Sequence, residues 1–359
     1  MSISADLADP DGSVLWYWFN TVHKSSSENT QETIRDRIRR FERFLAVKGG
    51  YKNKSSWTKL DIDDVPVEEI FKPRNVDQEI AYEFLDEYLT EDYGAETQQG
   101  TAGSLSRAYE WCATHTQSVD GDPVGYVLDN HDLLDNPTPR TPYIIDIKEA
   151  REVIRSWDHP MWLCINVILA KTLRRTGGVV NLDIGDLNID HPGCDWTVDP
   201  EIRHWPDHIV FHADKERSNP GRNTGNKTTT TRKIPIDDEL KESLIWYLTV
   251  RPGPLNPDEP LFRDAWGNRR SGNSVCVKFI ERAKELGHWY GERDDDNLNP
   301  HYWRHWSTTW FEDRLGEKNS LTDYLRGDKG RRTKATYNQW TEQKEALYLE
   351  HVPKFFIDD

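Results

Sequence analysis

A polar segment with three prolines divides this chain of 359 residues into two parts. The segment, NHDLLDNPTPRTPYI at 130–144, disfavours regular structure because proline lacks an amide hydrogen and restricts the residue before it. Each part is long enough to form its own core. We therefore predict two domains, 14–129 and 143–359, joined by a linker at 130–142 and preceded by a flexible arm at 1–13.

The first predicted domain is helical. Its segment TQETIRDRIRRFERFLAVKGG, at 30–50, repeats apolar residues every three or four positions and ends at two glycines. This pattern is typical of an amphipathic helix and its C-terminus. The apolar stripe consists of Ile34, Ile38, Phe41 and Leu45. Two further helices are predicted around 80–94 and 103–116.

A basic row runs beside this stripe and consists of Arg35, Arg39 and Arg43. The spacing of four residues places the three guanidinium groups along one face of the predicted helix. Two interpretations remain open: the row is a solvated helix face, or it contacts phosphate groups, which suit the guanidinium fork.

The second predicted domain combines helices with a small sheet. A helical stretch runs from about 147 to 173, and further helices are predicted at 237–248, 274–286 and 300–316. Between them, HIVFH at 208–212 and TTTTRKIPI at 228–236 are rich in β-branched residues and predict two strands around a long polar loop. The predicted fold class is mainly α with a small β-sheet (α+β).

The charge balance is strongly acidic: 62 Asp and Glu face 46 Lys and Arg, for a net charge of −16. The acidic residues are spread over the whole chain, which favours a solvated surface in a high-salt cytoplasm. An acidic tail or a single acidic binding face would concentrate them. The net charge argues weakly against a nucleic acid partner, but binding depends on the local distribution of charge.

Several classes of protein and site are disfavoured. The sequence contains no apolar run near the about 20 residues of a membrane helix, and its start lacks the basic and apolar regions of a signal peptide. The four cysteines form no CxxC pair, which disfavours a zinc site and favours a reduced cytoplasmic protein. We also predict no metal at His204, His208 and His212, because i, i+4 spacing on a strand spreads them along the sheet.

Two patterns combine cations at predicted helix ends. In TLRRTGGVVNLDIGDL, at 172–187, Arg174 and Arg175 follow an apolar helix. They either form ion pairs with Asp183 or Asp186, or they form an anion clamp, because a buried unpaired charge is costly. In NPHYWRHWSTTW, at 299–310, the histidine and arginine of HYWR lie three residues apart on one helix face, near an N-terminus that favours anions.

Two more patterns place cations in loops. GNKTTTTRKIPI, at 225–236, has Lys227 at the mouth of a strand, where it is either a solvated turn lysine or part of an anion site. LRGDKGRRTKATYNQW, at 325–340, surrounds Tyr337 with basic residues. These are Arg326, Lys329, Arg331, Arg332 and Lys334. A basic loop that balances the acidic surface is the alternative interpretation of this stretch.

Taken in this order, the four patterns resemble the motifs of the tyrosine recombinase (phage integrase) family. The family's first motif is T-G-L-R-x-x-E-x-x-x-L with an acid four residues later, and its hairpin motif is K-x-x-x-x-R-x-V-P. Its second box is H-x-x-R-H, and a tyrosine follows nine residues after a glycine–histidine pair. The matching residues are Arg175, Leu182 and Asp186; Lys227, Arg232, Ile234 and Pro235; His301, Arg304 and His305; and Gly327 and Tyr337.

Three positions depart from the family pattern. Leu173 stands where the first motif has glycine, Gly178 stands where it has glutamate, and Asp328 stands where the family has histidine before the tyrosine. Arg174 therefore remains an alternative to Arg175 as the first arginine, although the spacing to the leucine and the acid of the motif favours Arg175.

The resemblance covers nearly the whole chain and implies a helical core-binding, DNA-binding domain followed by a catalytic domain. It implies a DNA strand-breaking and rejoining enzyme that acts at a specific site of double-stranded DNA, for integration or excision of a mobile element. The implied intermediate is a 3′-phosphotyrosyl link, and no cofactor or metal is implied. The implied catalytic residues are Arg175, Lys227, His301, Arg304, Asp328 and Tyr337.

Further expectations concern the partners. Arg331, Arg332 and Lys334, with the row of Arg35, Arg39 and Arg43, are the candidate DNA-binding residues. In similar recombinases a C-terminal tail couples protomers of a tetramer. The apolar tail residues Leu347, Leu349, Phe355 and Phe356 serve that role here, or they pack on their own domain. The acidic composition suggests a haloarchaeal or haloviral member.

Two other functions remain as alternatives. A DNA-binding architectural or regulatory protein without catalysis is one, because Gly178 and Asp328 depart from the family motifs. A type IB topoisomerase, which uses similar chemistry without choosing a site, is the other.

Overall fold

The computed structural model describes residues 13–26, 28–51, 54–66, 69–137, 142–213, 230–291, 296–317, 319–327 and 340–357. The chain divides into two compact units, Met1–Pro139 and Arg140–Asp359. The predicted fold class is confirmed, since helices dominate and a small antiparallel sheet accompanies them. Among the described residues, none of the helices combines the length and the apolarity needed to cross a membrane.

The first unit is built from helices. The α-helices are α1 (Val14–Val22), α2 (Glu28–Lys48), α3 (Gln78–Glu83), α4 (Thr90–Asp92), α5 (Ala95–His115) and α6 (Pro123–Asn130). A π-helical turn, Phe84–Leu89, joins α3 to α4 without a break, and short 3₁₀ turns lie at Lys54–Lys59, Ile62–Asp64 and Pro73–Asn75. The predicted helices at 30–50, 80–94 and 103–116 correspond to α2, to α3–α4 and to α5, whereas α1 and α6 were not predicted.

The core of the first unit is aromatic. The predicted stripe of α2 is buried throughout, and its Phe41 contacts Phe84 at 4.8 Å and Tyr109 at 6.4 Å between ring centroids. Trp57 adds its ring beside Tyr88 at 5.5 Å. The edge-to-face angles of these contacts are those that aromatic quadrupoles favour, so the aromatics supply both area and geometry.

The second unit contains α7 (Ile147–Arg155), α8 (Pro160–Thr172), α9 (Thr176–Val180), α10 (Asp238–Val250), α11 (Gly272–Leu286), α12 (Tyr302–Leu315), α13 (Ser320–Arg326) and α14 (Glu342–His351). The predicted helical stretch at 147–173 is in fact two helices. Its break has a local cause, since His159 caps the second helix and Pro160 occupies the first turn, where its missing N–H costs nothing.

The three strands are β1 (Leu187–Asn188), β2 (His208–Phe211) and β3 (Arg232–Pro235), in the order β1-β2-β3 and antiparallel. In the register of β2 and β3, Ile209 pairs with Ile234, and Phe211 pairs with Arg232. Both predicted strands are confirmed, and the segment 214–229 between them lies outside the described residues.

Helix α8 is the centre of the second unit. Its residues from Met161 to Thr172 are all buried, and α10 and α12 pack against it. The buried Asn166 accepts a hydrogen bond from Trp303 of α12 at 3.0 Å. Because α8 is enclosed on all sides, its C-terminal end has a well-defined position, and the first candidate arginines follow directly from that end.

The C-terminal segment packs on its own unit. Phe355 is fully buried against Trp303 and Trp306, at 6.3 and 5.8 Å between ring centroids. Lys171, at the end of α8, donates to the carbonyl of Pro353 at 2.7 Å. Other apolar side chains of this segment stay exposed; they are Leu349, Phe356 and Ile357.

Candidate active site

A left-handed residue at the end of α8 directs the chain toward the candidate site. Leu173, which occupies the glycine place of the first motif, has φ 57° and ψ 20°. This region favours glycine, because a Cβ there crowds the backbone at a cost of roughly 1–2 kcal/mol. The leucine adopts this conformation while its side chain is fully buried, so burial of the side chain offsets the backbone strain.

Arg304 connects three segments of the site. It lies on α12, is almost fully buried, and its Nη1 donates to the carbonyl of Leu173 and, at 3.0 Å, to the carbonyl of Arg326 at the end of α13. These bonds fix the plane of the guanidinium group. The left-handed Gly327 then ends α13, immediately before the segment that carries Tyr337.

His301 is the N-cap residue of α12 and lies beside this guanidinium. Asn299 accepts hydrogen bonds from the backbone N–H groups of His301 and Tyr302, at 2.8 and 3.0 Å, which satisfies two donors at the start of the helix. Desolvation of the imidazole and the neighbouring positive groups lower the pKa of His301 to about 4. Those groups are His305, Arg304, Arg175 and Arg326. His301 is therefore neutral near pH 7, where it can accept a proton or a hydrogen bond.

We predict that His301 in the free protein becomes protonated only near pH 4, because the surrounding positive charges oppose its ionisation. An NMR titration of the imidazole, assigned with His301→Asn, measures this directly. Arg175→Ala is expected to move the midpoint upward. In the unfolded chain the histidine has a pKa of about 6.5, so the unfolded state binds this proton first as the pH falls. His301 therefore lowers the free energy of unfolding progressively between about pH 6.5 and pH 4. A midpoint at 6.5 in the wild type would contradict the prediction.

The two candidate arginines of the first motif differ in their surroundings. Arg174 is 4% exposed, and its guanidinium carbon lies 4.8 Å from the centroid of the Phe211 ring. Arg175 is half-buried, precedes α9 as its N-cap residue, and is close enough to His301 to lower its pKa. Arg175 thus shares the solvent-accessible side of the site with His301, whereas Arg174 lies beneath it.

The aspartates near the first motif have other partners than Arg174. Asp183 pairs with Arg269, and Asp186 accepts a hydrogen bond from the backbone N–H of Asp183 at 2.9 Å. One of the two interpretations of this motif was an ion pair with Asp183 or Asp186. Among the described residues, Arg174 forms no such pair.

A carboxylate–imidazole cluster lies beside β2. Nε2 of His212 is 3.1 Å from Asp199 and 3.6 Å from Asp186, and all three residues are buried. Within the part of the chain that the structure describes, these side chains have the types and spacing of metal ligands. A protonated imidazole would form ion pairs with both carboxylates, and the pair with Asp186 would link the residue after β2 to the turn before β1. His204 and His208 are not members of the cluster.

Several predicted site residues lie outside the described residues. They are Lys227, Asp328, Arg331, Arg332, Lys334 and Tyr337. Of the predicted catalytic set, the structure therefore brings together Arg175, His301 and Arg304. Arg326 joins them, as its charge reaches His301 and its carbonyl accepts from Arg304. The three arginines and the imidazole lie close enough to interact electrostatically, and such a group of donors suits an anion with several oxygens.

The predicted basic row on α2 has partners within its own unit. Arg39 pairs with Asp63 at 3.1 Å, and Arg43 donates to the carbonyl of Leu60 at 2.8 Å. Arg35 lies over the ring of Phe19 at 5.1 Å and donates to Gln31 at 3.0 Å. The three guanidinium groups thus hold α2 against its neighbours, and their contact with DNA stays a prediction.

A different group of arginines on α2 and α5 was missed from the sequence. Arg37 and Arg107 both donate to the hydroxyl of Ser104, at 2.9 and 3.3 Å, and Arg40 donates to Thr101 at 3.2 Å. Desolvation and the charges of Arg107 and Arg40 lower the pKa of Arg37. We call Arg37, Arg40 and Arg107 the α2–α5 arginine cluster.

Gly100 makes room for this cluster. A Cβ at this position would lie 2.5 Å from Nη2 of Arg37, so the arginine crosses α5 where the helix has no side chain. The signal in the sequence was the small and polar face GTAGS at 100–104, which α5 presents to α2. Like charges placed together in an acidic protein are typical of a surface that binds a polyanion.

Solved structures share this fold. The integrase of the Tn1549 transposon, solved in complex with a circular intermediate DNA, aligns with a TM-score of 0.60 at 16% identity, covering 94% of this chain and 98% of that one. A lambda integrase dimer bound to a COC′ core site gives 0.56 at 15% identity over 91% and 76% of the two chains. A lambda integrase tetramer bound to a Holliday junction gives 0.55 at 16% identity over 89% and 77%.

At these identities the likeness shows a common fold. No protein-family model and no curated protein sequence matches the chain. What the comparisons add to the geometry is therefore the fold, which matches that of the integrases with which the chain aligns.

Proposed function

We propose that this protein is a site-specific DNA recombinase, which cleaves and rejoins double-stranded DNA to integrate or excise a mobile element. The observation that carries the proposal is the meeting of Arg175, His301 and Arg304 at one place. These residues come from two distant motifs of the chain, and they meet in a fold shared with integrases that were solved on DNA.

The proposed reaction needs a nucleophile, cations on the phosphoryl oxygens and an acid for the leaving group. The phenolate oxygen of Tyr337 attacks the scissile phosphorus, and the bond from phosphorus to the 5′ oxygen breaks. Lys227 donates a proton to that oxygen, which leaves as a free 5′ hydroxyl. Rejoining reverses these steps, and the 3′-phosphotyrosyl link conserves the bond energy, so no nucleotide cofactor is needed.

The described residues would supply the electrostatics. Arg175 and Arg304 bind the non-bridging oxygens, for which the planar guanidinium fork is well shaped. The backbone bonds of Arg304 hold its plane before DNA arrives, so little reorganisation is needed. His301, neutral near pH 7, acts as a base toward the Tyr337 hydroxyl or orients the phosphate.

Covalent trapping tests this function. The full chain is incubated with duplexes that carry a nick beside a randomised core, so that cleavage releases a short strand and cannot reverse. We expect protein–DNA adducts that survive denaturation, that are enriched in one sequence, and that are lost in Tyr337→Phe. Absence of any adduct would contradict the proposal and favour an architectural DNA-binding protein. Relaxation of supercoiled DNA without a preferred sequence would favour a type IB topoisomerase.

We also propose that the α2–α5 arginine cluster contacts the DNA backbone. Arg37→Ala is expected to weaken binding to duplex DNA about tenfold at low salt, since one charge-assisted phosphate contact contributes roughly 1.4 kcal/mol or more. Fluorescence anisotropy over a salt series measures the affinity and its salt slope. Arg39→Ala, on the same helix but paired with Asp63, is the matched control and should change little. Equal effects of both variants would contradict this assignment.

A homo-tetramer on DNA, held through the C-terminal tail, is the proposed assembly. The exposed Leu349, Phe356 and Ile357 are the apolar residues available for a neighbouring protomer. Deleting the tail is a poor test, because Lys171 would lose its bond to Pro353. Ile357→Glu is better, because its side chain is exposed. Sedimentation of the DNA complex should show loss of the tetramer in this variant, and an unchanged tetramer would contradict the role of the tail.

A further inference from the structure

Two buried arginines beneath the candidate active site have incomplete hydrogen bonding. Arg174 and Arg232 are 4% and 8% exposed. Among the described residues, Nε and Nη2 of Arg174 have no hydrogen-bond partner, and neither does Nε of Arg232. Buried polar groups normally have partners, and a buried cation without a counter-charge is especially costly. An arginine pair of this kind therefore needs an explanation.

The two side chains belong to one structure. Arg174 lies over the ring of Phe211 at 4.8 Å, and Phe211 is the cross-strand partner of Arg232. Arg232 in turn lies over the ring of Tyr324 at 4.7 Å. Aromatic faces attract a guanidinium group, but they carry no net charge and do not neutralise it. We call Arg174 and Arg232 the inner arginine pair.

The acids expected nearby are used elsewhere. Asp183 pairs with Arg269, and Asp186 contacts His212. The charges that act most on Arg174 are those of Arg232, Arg304 and Arg175, together with the Tyr324 phenol, and burial with these cations lowers the pKa of Arg174 to about 9. Within the part of the chain that the structure describes, no carboxylate is among the main charges that act on Arg174. The chain has 62 acidic residues, so this is not a result of scarcity.

We propose that the inner arginine pair is an electrostatic element whose counter-charge is the bound phosphate group. Arg175 and Arg304 touch the phosphate in the proposed function, on which this inference rests, and the inner pair lies behind them. Its two charges raise the positive potential at the phosphate and cost no reorganisation when it binds. Arg174 and Arg232 are thus positioning residues, and the free protein gives up stability to keep them charged.

The proposal predicts effects of opposite sign on stability and on binding. Arg174→Leu, which places the family motif's leucine there, should raise the melting temperature of the free protein by several degrees, because a buried unpaired charge is removed. The same variant should reduce the stabilisation by inorganic phosphate at least severalfold. Arg174→Met, which retains more of the side-chain length, is the second variant, and Arg174→Lys should restore part of the phosphate response.

The matched control is Arg270→Leu. Arg270 also has a buried Nε without a partner and lies over a ring, that of Trp162, at 5.3 Å. It is not among the main charges that act on Arg174 or His301. Its replacement should leave the phosphate response unchanged. Thermal unfolding of the full chain is recorded over a phosphate series, with ionic strength held constant by sodium chloride.

The outcomes separate this inference from the proposed function. If Arg174→Leu and Arg174→Met both lower the melting temperature, or keep the full phosphate response, the inner pair is structural and the inference is wrong. If the wild type forms Tyr337–DNA adducts but does not respond to phosphate, the inference fails while the recombinase function stands. If the protein forms no DNA adduct but responds to phosphate through Arg174, the anion site stands and the recombinase function is wrong.

Discussion

Replacing Arg175 by alanine is expected to slow DNA strand cleavage by about 10²–10³-fold, the usual loss when one preorganised donor to a developing anion is removed. The half-buried side chain lies on the solvent-accessible side of the site with His301. Its loss should therefore affect the reaction more than the fold. Single-turnover cleavage of the trapped DNA substrate measures the rate. Arg175→Lys should recover part of it, because lysine retains the charge but not the fork.

The matched control is Arg282→Ala. Arg282 belongs to the same unit and forms a surface pair with Glu285 at 3.1 Å, so its loss should leave the cleavage rate within about twofold, as expected for a weak exposed pair. Cleavage by Arg175→Ala at nearly the wild-type rate would contradict the assignment. The first catalytic arginine would then have to be Arg174, the alternative that the sequence motif left open.

Replacing Lys171 by methionine is expected to lower the free energy of unfolding by about 3–5 kcal/mol, the range for breaking a buried ion pair on one side. Lys171 is fully buried at the end of α8, and its Nζ lies 2.7 Å from Asp237 and 2.9 Å from Glu239. Methionine would leave the carboxylates of Asp237 and Glu239 buried without the ammonium group that neutralises them. Burial alone would raise the pKa of Asp237, but Lys171 and Lys354 hold this pKa below its ordinary value.

The same replacement should loosen the C-terminal segment, because Lys171 also bonds to Pro353 and Glu239 accepts from the backbone N–H groups of Phe355 and Phe356. For a unit of this size, the loss corresponds to a shift of the melting temperature by roughly 6–20 °C, measurable by circular dichroism. Lys241→Met is the control: Lys241 pairs with Asp207 at 2.9 Å near the surface, and its loss should cost about 1 kcal/mol or less. Equal shifts for the two variants would contradict the network's importance.

Patterns that depend on burial were predictable from the sequence. The stripe on α2 and the two strands followed from apolar spacing and β-branched content, because core positions repeat with the period of the element. The break before α8 was also visible in principle, since Pro160 marks a first helical turn. Helix α1 was missed because VLWYWFNTV is short and opens with six apolar residues in a row, a pattern that does not distinguish a helix from a buried strand.

Features of the site that depend on backbone direction or on distant partners were less predictable. Residue type alone does not distinguish Arg174 from Arg175. In the structure, the left-handed Leu173 precedes them, and Arg174 is buried whereas Arg175 is half-buried. On α2 the row of Arg35, Arg39 and Arg43 was chosen from spacing alone. The partners that distinguish Arg39 from Arg37, namely Asp63 and Ser104, are distant in the chain, and no local pattern identifies them.

The most direct test of the proposed chemistry is to identify the side chain that carries DNA in the trapped adduct. The adduct is digested with protease and nuclease, and the modified peptide is sequenced by mass spectrometry. We predict a nucleotide 3′-phosphate on Tyr337, within the peptide that follows Gly327, and no modified peptide in Tyr337→Phe. A nucleotide on any other residue, or an adduct that persists in Tyr337→Phe, would contradict the proposed mechanism.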